Sequence, residues 1–243
     1  MLRTHMNLLE TGQLKKAKSN KHDLAFKIKH ETDATPEKVL EFALNGVEGK
    51  QYFARATLIS AASLLYKDQK GEKAMQGMER CIEGLKLILE KVASSIFFKN
   101  LQLEMLLIAL MDDIKLEMES VASVSETEKC KRITTALATI ASCQLKIDEK
   151  GSALETQKER LKRVKKTHGS FSEKRVLCGL IYSDLANCYK DILQLKEAAE
   201  FYQKAKTVYV NASDIESEEY RKSLIMACEK NLEALNNRQC VLI

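Results

Sequence analysis

Four histidines, seven cysteines and several lysine-rich stretches are the residues of this chain with the chemistry to hold a metal, attack a carbon or cradle a phosphate. His5, His22, His30 and His168 are scattered, and none stands three or four residues from another or beside a cysteine pair, the spacing that a metal site needs. Their order predicts no metal ligands. Lys70-Gly71-Glu72-Lys73 lacks both the leading glycine and the hydroxyl residue of a phosphate-binding loop, so no nucleotide cofactor is expected. Cys178 and Cys188 are potential nucleophiles, but no base is placed near either, and both read as buried structural thiols. No catalytic residue is nominated and no cofactor is expected; the pattern is that of a protein that is not an enzyme.

Two further clusters bear on partners. Lys158, Arg160, Lys162, Arg163, Lys165 and Lys166 form a basic run that could attract acidic segments, phosphoinositides or nucleic acid. On a helix these charges do not share one side, and Leu154, Leu161 and Val164 remain for burial, so the run reads as a solvated outer face with cations favoured at the helix C-terminus. The last four residues, Cys240-Val241-Leu242-Ile243, have the form of a CaaX prenylation box, preceded by the polar spacer Asn236-Asn237-Arg238-Gln239. No polybasic run or second acylatable cysteine stands just upstream, and one lipid anchors weakly. The alternatives are a prenylated Cys240 in a membrane-associated regulator and an ordinary frayed terminus. Membrane association is expected only if Cys240 carries a lipid.

Composition narrows the class. With 243 residues the chain can bury a sizeable core. One proline, Pro36, and nine glycines are too few for a fold of many turns, which argues for long helices. The formal charge of +5 is mild, and no basic patch interleaved with aromatics accompanies it, so nucleic acid is not an expected partner. No run of eighteen apolar residues occurs, and MLRTHMNLLETG lacks the apolar stretch of a secretory signal, which predicts a cytoplasmic protein. An odd number of cysteines without a CxxC pair fits reduced thiols. Asn211-Ala212-Ser213 matches a glycosylation acceptor, read as chance without a secretory route.

The elements follow from apolar spacing. Thr35-Pro36 starts a short helix that Gly46 and Gly49 close. Tyr52 to Tyr66 and Lys70-Gly71 to about Val92 read as a helical pair, and Ile96 to about Ala122 as a buried helix, with Met105, Met111 and Met118 as core filler rather than a docking surface. Ser125 or Thr127 caps a helix from about Glu128 to Ile147. A long helix with a basic end follows Asp148-Glu149-Lys150-Gly151, and the last helix, Ser217 to about Asn236, carries Tyr220, Leu224, Ala227, Asn231 and Leu235 at steps of four and three. The clearest segment is Gly179 to Ala212, where Tyr182, Leu185, Ala186 and Tyr189 precede Ala198, Tyr202 and Ala205 across a short turn. Small residues there permit close helix approach while tyrosines fill the surrounding space.

That order resembles the thirty-four-residue tetratricopeptide repeat, with Val210 where the family usually has proline. Leu58, Ala61, Ala62, Leu65, Ala74, Met78 and Cys81 repeat the seven spacings, so the clearest repeats are 55–88 and 179–212. A third is degenerate: Ala153 holds the small position, but Gln157 and Arg160 replace Tyr and Ala, and the interval from Ala153 to Ala198 is similar to the longer repeats of kinesin light chains. The resemblance implies an all-α fold, a tetratricopeptide-like α-solenoid in which antiparallel helix pairs form one right-handed superhelix over 1–243, with a capping helix at about 217–236 and a tail at 237–243. It implies a protein or peptide partner held in a concave groove by first-helix residues Tyr182, Ser183, Asn187 and Lys190. Some family members clamp a terminal carboxylate with Lys, Asn and Arg; here Asp184 stands where Asn would be wanted and would repel that ligand. Gln13-Leu14-Lys15-Lys16-Ala17 echoes Gln194-Leu195-Lys196-Glu197-Ala198, so the chain either starts within a repeat, as a fragment of a larger scaffold would, or opens with an ordinary amphipathic helix.

Overall fold

The chain's computed structural model describes residues 17–32, 34–45, 52–94 and 101–241. Most of the opening echo, Gln13-Leu14-Lys15-Lys16, the glycine closure at Gly46 and Gly49, and the side chain of Cys240 lie outside the described residues. Ten α-helices and one 3₁₀ segment are described, and no strand occurs among the described residues. The chain is all-α. Its described residues fall into two compact units, one ending at Ile147 and the other starting at Asp148.

The first unit holds α1 (Ala17–Glu31), α2 (Pro36–Leu44), α3 (Tyr52–Lys67), α4 (Gly71–Ser94), α5 (Leu101–Glu119) and α6 (Glu126–Lys146). Thr35 starts α2 by accepting from the Lys38 amide at 3.4 Å, with Pro36 at the first position where a missing N–H costs nothing. Ser125 starts α6 in the same way, its hydroxyl accepting from the Glu128 amide at 3.2 Å. From α2 to α6 each helix packs on the next, and contacts also run α1 to α3 to α5 and α2 to α4 to α6. The unit is therefore two layers of alternating helices.

Packing between those layers is set by small residues. Ala54, Ala61 and Ala62 of α3 are fully buried against Met75, Met78 and Ile82 of α4 in one apolar core. A Cβ on Gly77 would stand 2.1 Å from the Tyr66 ring, so the ring lies directly on bare backbone. Burying each large aliphatic side chain stabilises the unit by about 1.5–3 kcal/mol. The buried charge of α1 has partners: Lys21 reaches Glu117 at 3.2 Å and Asp113 at 3.5 Å on α5, and Ser63 of α3 donates to Glu117 at 3.1 Å. Met111 and Met118 are fully buried core, but Met105 is 52% exposed, because α5 turns that side away from both neighbours.

The second unit holds α7 (Lys150–His168), a 3₁₀ turn (Gly169–Lys174), α8 (Val176–Asp191), α9 (Leu195–Asn211) and α10 (Glu218–Val241). Consecutive helices pack on one another. Leu193, at φ 63°, turns α8 into α9, and Gly179 lies under the Tyr209 ring, where a Cβ would be 2.5 Å from the nearest ring carbon. Helix α10 runs five residues beyond its expected end. Its buried side passes through Cys228 and Leu235 with Leu224 and Leu232 half-buried, whereas Tyr220 is 40% exposed and Ala227 is exposed. Leu224, Asn231 and Leu235 of the expected face thus lie inward, while Cys228 takes the buried position expected of Ala227.

Both units carry one device that sequence spacing does not announce. Arg55, fourth residue of α3, donates to the carbonyls of Phe42, Ala43 and Asn45 at the end of α2, with 2.8 Å to Ala43. Arg221, fourth residue of α10, donates to those of Tyr209, Val210 and Ala212 at the end of α9, at 2.6, 3.1 and 3.0 Å. Each guanidinium satisfies carbonyls that a helix end leaves without intrahelical donors.

Candidate functional site

The residues that the sequence nominates sit on α8. Ser183, Asn187 and Lys190 recur at steps of four and three and so share one face, where all three are half-buried. Asn187 Oδ1 accepts from the Tyr202 hydroxyl of α9 at 2.5 Å and from Lys190 Nζ at 3.4 Å. Its carbonyl oxygen is thus committed, and the amide NH₂ and the Lys190 ammonium are the donors this face offers. A ligand suited to them supplies carbonyl or carboxylate oxygens.

Tyr182 stands apart from these three. It is 4% exposed, its hydroxyl donates to Glu173 Oε1 at 3.2 Å, and Lys165 Nζ lies 5.6 Å from its ring centroid. Burial and the neighbouring Glu173 carboxylate push its hydroxyl pKa upward. Phe201 packs beside it at 5.9 Å and stacks on Tyr189 at 5.2 Å. Tyr182 lines a cleft of about 350 Å³ together with Lys204 and Thr207.

Two positions behave differently from their sequence reading. Arg160 was expected on a solvated outer face with the rest of the basic run, yet it is 6% exposed. It stands on the side that α7 turns inward, so its charge requires an internal partner. Asp184 of α8 supplies one at 2.6 Å and Gln157 accepts a second bond at 3.2 Å. Burial raises the Asp184 pKa while Arg160 pulls it down, with a net shift upward. Asp184 is therefore held beside a cation, and its expected repulsion of an anionic ligand is offset. Of the remaining members of the run, Lys158, Lys162, Lys165 and Lys166 are exposed and Arg163 is half-buried.

The thiols offer little nucleophilicity. Cys81, Cys130, Cys143, Cys178, Cys188 and Cys228 are buried and unbridged. Burial pushes Cys143, Cys188 and Cys228 up to about 11 and raises Cys81 and Cys178 as well, so these five are thiols rather than thiolates at neutral pH. Among the described residues no group of three or more His, Cys, Asp or Glu is placed to hold a metal ion, and no described helix is long and apolar enough to cross a membrane.

A larger feature belongs to the first unit. Helices α2 and α4 flank a cleft of about 910 Å³, with Leu40, Leu44, Tyr66 and Gly84 at its base and Glu37, Glu41, Glu79, Arg80, Glu83 and Arg132 around it. Sequence reasoning misses it because its two walls lie some forty residues apart in the chain. The available signal is the paired stripes Glu37/Glu41 and Leu40/Leu44 on a helix too short to be covered on every side. Arg132 is tied there by Glu72, Glu79 and Glu128 at 3.0, 2.6 and 2.7 Å, and those carboxylates raise its pKa against the opposing effect of burial.

A scan against protein-family models finds no match to this chain, and a search of curated proteins finds no significant one.

Proposed function

We propose that the chain is a tetratricopeptide-like α-solenoid that binds a protein or peptide segment and performs no catalysis. The observation that carries this reading is the seven-position template, which recurs in two hairpins: Leu58, Ala61, Ala62, Leu65, Ala74, Met78 and Cys81 are all buried, as are Tyr182, Leu185, Ala186, Ala198, Tyr202 and Ala205, with Tyr189 half-buried. Alternating helix layers in the first unit support it. So does the backbone forty-five residues before the α8–α9 turn, where Ile147 and Asp148 have φ of −97° and 64° against −96° and 63° at Ile192 and Leu193.

In this reading Asn187 and Lys190 present donors to a partner's backbone or acidic groups, Ser183 lies beside them on the same face, and Tyr182 lies within the hairpin. Affinity capture from cells, quantified for the wild type and for Asn187→Ala with Lys190→Ala, tests it. A set of partners lost in the double variant, with circular dichroism and Tm preserved, is the expected result. An unchanged partner set would show that the α8 face is not the binding surface.

A further inference from the structure

The cleft between α2 and α4 shares no residue with the α8 face, and its chemistry calls for a different partner. Along α4, Gln76, Arg80, Glu83 and Leu87 recur at steps of four, three and four and form one stripe. Along α2, Glu37 and Glu41 flank Leu40 and Leu44. The base is apolar: Leu40 is buried, Leu44 half-buried, and Leu87 stands 39% exposed. A Cβ on Gly84 would stand 3.2 Å from Leu44 and 3.3 Å from Ile59, so this glycine lets α2 settle close to α4 and deepens the trough between them.

The rim is unequal in charge. Four carboxylates, Glu37, Glu41, Glu79 and Glu83, face two guanidiniums, Arg80 and Arg132, a formal balance of −2 in a chain whose total is +5. Arg132 is already held by three carboxylates. Glu83 accepts from Thr139 at 3.1 Å and pairs with Lys86 at 3.4 Å, and Lys73 lies near Glu37, but neither lysine lines the cleft. Glu41 is exposed and has no ion-pair partner among the described residues. The stripe from Gln76 to Leu87 extends about 16 Å at 1.5 Å per residue, room for about three turns of an accompanying helix.

We propose that this cleft docks a basic amphipathic segment of a partner protein. Its apolar side chains cover Leu40, Leu44 and Leu87, and its lysines or arginines meet Glu41 and Glu83. Burial of the leucines drives association, while the carboxylate rim selects the sign of the partner and orients it.

Three synthetic peptides of equal length test the proposal, each with leucines at helical spacing and either lysine, serine or glutamate at the other positions. Binding to the full chain is read by fluorescence anisotropy, and the site by methyl NMR shifts of Leu40, Leu44 and Leu87. The lysine peptide is expected to bind tightest and the glutamate peptide weakest. Glu41→Lys and Leu87→Asp are each expected to weaken the lysine peptide about tenfold, whereas the exposed Glu233→Lys and the Asn187→Ala with Lys190→Ala pair leave it unchanged. Both cleft substitutions are at exposed positions, so circular dichroism should show the fold intact. Absence of binding, equal binding of the lysine and serine peptides, indifference to Glu41→Lys, or shifts confined to residues after 147 would each overturn it. A concentration-dependent dimer abolished by Leu87→Asp, without peptide binding, would identify a second copy of this chain as the occupant and also overturn it. Loss of peptide binding in the α8 variant alone would instead return the interaction to the face proposed above.

Discussion

The α3–α4 and α8–α9 hairpins solve one packing problem in opposite senses. In the first, a tyrosine on the leading helix, Tyr66, lies on a glycine of the following helix, Gly77; in the second, the glycine is on the leading helix, Gly179, and the tyrosine, Tyr209, on the following one. The first hairpin fills its template with Leu, Met and Cys, the second with three tyrosines. That choice changes what must be satisfied inside. Aliphatic side chains need only volume, whereas Tyr202 and Tyr182 each need an acceptor and find Asn187 and Glu173. The difference teaches that helix spacing is conserved between the hairpins while its chemical means are interchangeable.

Alkali should break both hairpins and produces the largest expected effect. Burial pushes Tyr66 and Tyr202 from 10.0 to about 12, and Cys143, Cys188 and Cys228 from 9.0 to about 11. The folded state holds these protons more tightly than the unfolded one, so their stabilisation is complete below about pH 9 and is lost as pH rises through 11 to 12. Circular dichroism and the ring NMR shifts of Tyr66 and Tyr202 followed together should change in one transition in that window. Ionisation of Tyr66 or Tyr202 at pH 10 in a fully helical protein would contradict their burial.

Next comes Gly77→Ala. Alanine favours a helix interior by up to about 1 kcal/mol, but a methyl group at 2.1 Å from a buried ring forces a displacement that typically costs about 1–3 kcal/mol or more. A net loss of about 2 kcal/mol is expected in denaturant unfolding, with much of it restored by Tyr66→Leu in the same chain. Gly179→Ala, with its ring contact at 2.5 Å, should lose less, about 1 kcal/mol. Equal stability of either variant and the wild type would remove the reciprocal wedge.

Two smaller substitutions sharpen the polar half of the comparison. Asp184→Ala leaves the Arg160 guanidinium buried without its carboxylate and should cost about 1–2 kcal/mol. Arg160→Leu should cost less, because the Asp184 side chain is 41% exposed and can hydrate. The reverse order would mean that Asp184 is the buried dependent of the pair. Tyr202→Phe should cost about 0.5–1.5 kcal/mol through the lost bond to Asn187. Its absence from the first hairpin predicts no comparable penalty for conservative substitution of Met78.

Local signals explain why so much of the secondary structure was legible. Caps at Thr35 and Ser125, the punctuation at Lys70-Gly71 and the seven template positions all depend on neighbours within one turn or one hairpin. The errors share a different cause. Arg160 looked like erosion and Asp184 like an obstacle because twenty-four residues separate two halves of one ion pair, and each half alone is unfavourable in the interior. Met105 and Ala227 were misplaced because helical spacing defines a stripe without stating how wide the neighbouring helix is. The α2–α4 cleft was invisible for the same reason: each wall reads as an ordinary amphipathic face. Fold class thus follows from periodicity, while sites follow from juxtapositions that periodicity leaves open.

The two arginine clasps act as rulers. Arg55 and Arg221 grip carbonyls between nine and thirteen residues upstream, so each meters the length of chain that joins one helix to the next. Surface connections ordinarily absorb added residues at little cost. Here an insertion after position 45 or 212 would move a guanidinium relative to the carbonyls it spans, and a lysine in its place, with one compact ammonium, could not bridge three of them at once. Connection length in this protein is thereby set by a side chain rather than by the turn itself.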